Sequence, residues 1–264
     1  MLLLVGCGGD RNEETFEYSS VDFTTKPNGD PPPILDSGEP VDYVLQSMNG
    51  RKPQIVDGRL VHGELPAPGD SRNFANYYQA RLDGDCHAYG ASFTVDASEG
   101  TAGQGYTTLA AWADVYEAAG PVPKTPGHIT FSTTTGAWQW WVSDGGGSGS
   151  QHLKVVKSGT FSPPAFDGAT VWETAVFLDP DAGIAYLTLP GDDAKTGSRF
   201  VTLTDREIAD ALGAVDLPAT TIADTVSGSD VVMVEHYANK GTAETARYPE
   251  FLSMWAYSQR PAKG

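Results

Sequence analysis

The sequence predicts an all-β protein, an antiparallel two-sheet jelly-roll sandwich with one short helix and a disordered N-terminal tail. Three observations lead there. From about residue 53 onward, apolar and aromatic residues recur at every second position in many short runs, the period of a half-buried strand. Turn residues rich in Gly, Pro and Asp separate these runs. A single segment carries helix-start chemistry. Roughly ten to fourteen strands suit a jelly roll better than a small immunoglobulin-type sandwich.

At 264 residues, with 40% hydrophobic and 10% aromatic residues, the chain can bury a sizeable core. The expected organisation is a signal or lipobox at 1–7, a Pro/Gly-rich tether at 8–45 and a sandwich domain at 46–264. Leu4-Val5-Gly6-Cys7 reads as a lipobox, in which a small residue precedes the cysteine that receives lipid. A secretory signal needs a positive n-region and an apolar stretch of roughly 7–15 residues. Only Met1-Leu2-Leu3-Leu4-Val5 precedes Gly6, and no Lys or Arg comes before Arg11. The expectation is therefore a signal truncated at its front, with lipid attachment at Cys7; the alternative is a chance cysteine in a disordered terminus. Gly8-Gly9-Asp10-Arg11-Asn12-Glu13-Glu14 has the polar, flexible composition expected just after a lipid anchor, and Thr24 to Pro33 favours extended polyproline-type backbone. Val41-Asp42-Tyr43-Val44-Leu45 is the first candidate for ordered structure.

The body then reads strand after strand. Gln54 to Val61 forms a short hairpin with Asp57-Gly58 at its turn. Asn76 to Leu82 is the next run. From Ala88 to Val95, Tyr89, Ala91, Phe93 and Val95 fall on one face, and Ala88, Gly90, Ser92 and Thr94 on the other. Thr107 to Tyr116 comes after it, then a hairpin of His128–Ser132 and Ala137–Val142 around Thr134-Thr135-Gly136. Gly145 to Ser150 is a Gly/Ser-rich loop. His152–Val156, Thr170–Leu178, Ile184–Leu189 and Phe200–Leu203 continue the series. Thr204-Asp205-Arg206-Glu207 is a capping box leading into Ile208, Ala209, Ala211 and Leu212, with Gly213 as the stop. Val231–Tyr237 and Phe251–Tyr257 are the closing strands.

Several of these pieces resemble the concanavalin A-like lectin/glucanase superfamily of jelly rolls. They are Tyr89-Gly90-Ala91-Ser92-Phe93-Thr94-Val95, Leu109-Ala110-Ala111-Trp112, the hairpin through Trp138-Gln139-Trp140, Trp172 to Asp179, and Phe251-Leu252-Ser253-Met254-Trp255. The resemblance covers about residues 55–260. The chain is also similar to lipoproteins of high-GC Gram-positive, actinobacterial type that carry such a domain. The resemblance implies a concave sheet that often binds glycans. The superfamily holds both binders and hydrolases, so fold does not decide activity.

The charge of −17 argues against nucleic acid and against direct adhesion to anionic lipid, since both need a basic face. No later stretch is long enough to span a bilayer. With Cys7 lipidated, Cys86 has no partner and is expected to face the core. The five histidines are scattered without metal-site spacing. Asp85-Cys86-His87 puts adjacent strand residues on opposite faces, so the thiol and imidazole do not meet. Structural calcium is conceivable at Asp83-Gly84-Asp85 and Gly191-Asp192-Asp193, which lack EF-hand spacing and read better as turns. No other cofactor is expected.

Retaining glycosidases need two carboxylates about 5–5.5 Å apart. The Glu-x-Asp-x-x-Glu strand pattern of laminarinase-like relatives is absent. Asp114 and Glu117 sit on opposite faces by their spacing, which leaves Glu173 and Glu235, on two different strands, as catalytic candidates. Aromatic residues are the stronger lead, because sugars stack apolar C–H faces on rings while their hydroxyls need acids, amides or Tyr. Trp138 and Trp140 share one face, Gln139 and Trp141 the other. Trp112 with Asp114, Glu235 with Tyr237, and Trp255 with Tyr257 make similar two-residue pairs. The expected ligand residues are Trp112, Asp114, Gln139, Trp141, Tyr237 and Trp255. The leading expectation is a lipid-anchored, cell-surface, non-catalytic domain that binds a glycan or another cell-envelope component. A polysaccharide hydrolase or lyase working in the concave groove, and a structural or protein-interaction module of an envelope or phage surface, are the alternatives; oligomeric state is not readable.

Overall fold

Backbone pairing sorts the fifteen strands of the described residues into two antiparallel sheets in the computed structural model. The structure describes residues 16–39, 41, 43–47, 52–61, 74–96, 105–112, 127–143, 153–190, 200–215, 217, 220–227, 229–238 and 249–259. The strands are β1 (Phe16–Asp22), β2 (Tyr43–Ser47), β3 (Gln54–Val56), β4 (Arg59–Val61), β5 (Phe74–Arg81), β6 (Asp85–Thr94), β7 (Gly105–Trp112) and β8 (Gly127–Phe131). They continue with β9 (Ala137–Ser143), β10 (Leu153–Thr160), β11 (Trp172–Asp179), β12 (Ile184–Thr188), β13 (Val201–Thr204), β14 (Val231–Ala238) and β15 (Glu250–Gln259). An eight-stranded sheet runs β13-β12-β11-β6-β15-β4-β3, with β1 also paired to β15. A seven-stranded sheet runs β10-β9-β8-β7-β14-β5-β2. The expected all-β two-sheet sandwich is the fold.

The core lies between the sheets and is rich in rings. On β6 the inward positions are Tyr89, Ala91 and Phe93, with Val95 just past the strand, all essentially sealed from solvent. Phe93 stacks on Phe131 of β8, in the opposite sheet, at 5.7 Å. It also meets Trp172 of β11 at 5.8 Å and Phe251 of β15 at 5.7 Å. Trp138 and Trp140 of β9 are buried, while Gln139 and Trp141 are only half-buried, so the tryptophan-rich strand splits by face as its alternation demands.

The hairpin at Asp57-Gly58 forms with both turn residues at positive φ, 47° and 75°, the twist that joins two antiparallel strands tightly. Cys86 is free and fully buried, and burial pushes its thiol up while its S–H donates to the Ala88 carbonyl. It is a core group rather than a nucleophile.

Two expectations are corrected. The stretch read as tail and tether is part of the body from residue 16 onward. β1 pairs with β15 over its whole length, from Phe16↔Gln259 to Asp22↔Ser253. Val21 and Phe23 are buried, and Phe23 packs edge-on against Tyr78 at 5.2 Å. The proline-rich stretch docks as well: Tyr78 Oη donates to the Pro32 carbonyl, Val41 N–H to the Pro33 carbonyl, and Gly29 bridges Ile55. Extended backbone that buries Val21, Phe23 and Leu35 is held by apolar area, whatever its proline content suggests. The free edge of β1 is closed by Asp36 and Ser37, whose side chains accept from the N–H groups of Asp22 and Ser20.

The second correction concerns helices. Besides α1 (Asp205–Gly213), which opens with the expected capping box, there is a short α2 (Ile222–Val226). It carries its own capping box, Thr221 with Asp224, and buries Ile222, Thr225 and Val226.

The docked N-terminal segment makes a direct prediction. Phe23→Ala removes a fully buried ring and should destabilise the domain by about 3–5 kcal/mol, read by chemical denaturation. An unchanged midpoint would return this segment to the status of a tail.

Candidate functional site

The strand register places the expected site residues on two different surfaces. Gln139 and Trp141 belong to the outer face of the seven-stranded sheet, opposite the buried Trp138 and Trp140. Cross-strand partners share a face, so the row through Gln139 also contains Thr130, Thr108, Glu235 and Tyr77. The next row, through Trp141, contains His128, Ala110, Met233, Gln79 and Tyr43. One row further, Trp112 is opposite Val231; on the other side, Tyr237 is opposite Tyr106. Sequence-distant candidates Trp112, Gln139, Trp141, Glu235 and Tyr237 therefore occupy four consecutive rows of one sheet face. Trp112, Glu235 and Tyr237 take these places by strand register, and Asp114 lies outside the described residues.

Two observations characterise that face. The Trp141 indole N–H donates to Thr130 Oγ1 at 3.0 Å, which fixes the ring across its neighbouring strand. Val231, Met233 and Gln79 are only 1%, 1% and 4% exposed, although each alternates with a residue of the inter-sheet core. The middle of this outer face is thus sheltered from solvent, as the floor of a cleft is.

The second surface is the outer face of the eight-stranded sheet. One row crosses it as Tyr18, Tyr257, Ala88, Phe177, Tyr186 and Thr202. The adjacent row holds Ser20, Trp255, Gly90, Ala175 and Thr188. Trp255 lies over Gly90: a Cβ built there would come within 2.5 Å of the indole. Trp255 contacts Tyr257 and Phe177, both at 6.0 Å, and Tyr18 meets Tyr257 at 4.9 Å. The interplanar angles of 75°, 46° and 49° mean that the rings tilt against one another and form no coplanar platform. Phe16, Tyr18, Phe177 and Tyr186 are not among the residues that the sequence pattern singles out. The repeat Phe16-x-Tyr18 is the available signal, masked by its place in an apparent tail.

Several expectations do not survive this geometry. Glu173 is exposed on β11 in the row of Ser92 and Ser253, whose hydroxyls meet at 2.7 Å. Glu235 is on β14 of the other sheet. The two carboxylate candidates cannot approach across neighbouring strands, because a packed core separates the faces they occupy. Trp255, expected beside Trp112 and Trp141 in one ligand site, is likewise on the opposite surface. Asp83 and Gly84 lie in the turn between β5 and β6, and Asp85 opens β6. Cys7 and Gly191-Asp192-Asp193 lie outside the described residues. Among the described residues no helix is long and apolar enough to cross a membrane.

No protein-family model matches the chain, and no curated protein sequence matches it. Among solved structures, a CBM2 module of the evolved Dit protein of Lactobacillus casei BL23 phage J-1 is similar at a TM-score of 0.48 and 11% identity, covering 96% of this chain and 100% of that one. The exoplasmic/lumenal domain of VIP36 in its Ca2+-bound form is similar at 0.47 and 11%, covering 93% and 91%. Lectin UEA-II complexed with galactose is similar at 0.45 and 12%, covering 84% and 100%. All three scores fall below one half.

The Trp255–Gly90 contact yields a measurable consequence. Gly90→Val should push the indole off the sheet, destabilising the domain by about 1–3 kcal/mol and shifting tryptophan emission. Unaltered melting and emission would show that the ring does not rest there.

Proposed function

We propose that the protein is a non-catalytic carbohydrate-binding domain whose site is the outer face of the seven-stranded sheet. One observation carries the reading: four consecutive rows of a partly sheltered sheet face bring together Trp112, Trp141, Tyr237, Gln139 and Glu235. Rings give a sugar its apolar contact, and an amide and a carboxylate can hold its hydroxyls. Specific recognition of a neutral polar ligand needs both in one recess. The hydrolase or lyase alternative, built on Glu173 or Glu235, has less support, because the register sets these two residues in different sheets.

The same reading places the domain outside the cytoplasm. Leu4-Val5-Gly6-Cys7 supports attachment of lipid to Cys7, and the cell-envelope glycans of the host bacterium become the natural ligands. Because β1 begins at Phe16, a lipid on Cys7 would hold the sandwich close to the membrane, on a short leader rather than on a long stalk. Mass spectrometry of membrane-fraction protein should find an acylated N-terminal cysteine. A soluble, unprocessed chain starting at Met1 would remove the anchor and leave the sugar site untouched.

The glycan site is tested by oligosaccharide arrays and cell-wall pull-down with the intact domain. Trp141→Ala should weaken binding by about tenfold or more, the loss expected for a central aromatic anchor. Gln139→Ala should weaken it as well, and Trp255→Ala should leave it unchanged. Absence of any bound glycan, or full binding by Trp141→Ala, would sink the proposal.

A further inference from the structure

At one end of the eight-stranded sheet, a depression of about 580 Å³ lies among Phe16, Ala88, Phe177, Tyr257, Asp179 and Asp181. The row Tyr257–Ala88–Phe177 explains its shape. Ala88 is the small middle member, and the strands bearing the two rings lie two strand spacings apart, roughly 9.5 Å. A methyl floor with an aromatic wall on each side results. The walls keep solvent-facing area, with Phe177 at 39% and Tyr257 at 43% exposure. A register shift between Tyr257 and Ser258 bulges β6 at His87, and Phe16 meets the His87 ring edge-on at 5.6 Å, which closes a third side.

The lip is acidic. Asp179 is two residues beyond Phe177 on the same outer face and anchors the β11–β12 turn by accepting the Ala182 N–H at 2.9 Å through Oδ1. Asp181 is exposed within that turn. Anions are repelled here, and positive charge is favoured. A cation seated over Ala88 would be about 5 Å from either flanking strand, a spacing at which the two flanking rings can approach it to within the roughly 6 Å of a cation–π contact. The net charge of −17 adds a long-range attraction for positive ligands.

We propose that this depression binds an organic ammonium group, such as the amine of an amino sugar or a quaternary ammonium headgroup. It is a site separate from the carbohydrate face, formed by the opposite sheet, and does not depend on that reading.

The test titrates the full chain, by calorimetry or by chemical-shift mapping, with choline chloride and with glucosamine hydrochloride. Their uncharged counterparts, 3,3-dimethylbutanol and N-acetylglucosamine, are titrated in parallel. At least one cation should bind saturably, and roughly two- to fivefold or more tightly than its neutral counterpart. Phe177→Ala and Ala88→Leu should weaken it, the first by removing a wall and the second by filling the floor. Asp181→Asn, in an exposed turn where folding is not at risk, should weaken it as well, with unaltered melting. Binding of choline alone assigns a quaternary headgroup, and binding of glucosamine alone assigns an amino sugar; binding of both assigns the ammonium itself. Equal binding of the neutral counterparts, no effect of Asp181→Asn and Phe177→Ala, or no saturable binding of either cation overturns the proposal.

Discussion

Phe93 is the contact on which the sandwich depends. It stacks on Phe131 of the facing sheet and touches Trp172 and Phe251 within its own. Phe161 extends the cluster by meeting both Phe131 and Trp172. Rings of this size fix the separation of the sheets and bury more area per residue than any aliphatic pair could. Among the described residues, Phe93, Phe131, Trp140 and Trp172 fill the space between the sheets, and the two outer faces are the surfaces left open.

Those faces differ in chemistry. The outer rows of the seven-stranded sheet mix rings with amide, hydroxyl and carboxylate residues, and their centre is sheltered. The outer rows of the eight-stranded sheet concentrate rings that tilt against one another, with acids towards the ends at Asp22 and Glu173 and at Asp179 and Asp181. A sugar with hydroxyls around its whole edge suits the first pattern. A compact cation, which needs ring faces and a nearby negative charge but few hydrogen bonds, suits the second.

The alternation along Ala88–Val95 makes β6 legible in the sequence, because Tyr89, Ala91 and Phe93 are apolar without interruption and face a core on one side only. The tryptophan split on β9 is legible for the same reason. β1 is not. Its inward positions, Ser19 and Val21, are a weak stripe, it borders a proline run, and its partner β15 lies at the far end of the chain. Such pairing is decided by tertiary contact and leaves little local trace. The limit for site residues has the same origin. Alternation tells which residues of a strand share a face, but it does not tell which sheet the strand joins. That is why Glu173 can be imagined beside Glu235, and Trp255 beside Trp141, until the register separates them. The second helix is a smaller instance: Thr221 and Asp224 do form a capping box, but five residues present too short an apolar pattern to read as a helix.

The indole N–H resonances offer the most direct measurement of the central claim, that the outer face of the seven-stranded sheet is where a glycan binds. Trp141 donates to Thr130 on that face, Trp172 donates to the Ala165 carbonyl in the core, and Trp255 lies on the opposite surface. In a two-dimensional NMR titration with a cell-envelope oligosaccharide, the account predicts a saturable shift of the Trp141 indole signal, with Trp172 and Trp255 unmoved. A shift of Trp255 with Trp141 stationary would contradict it.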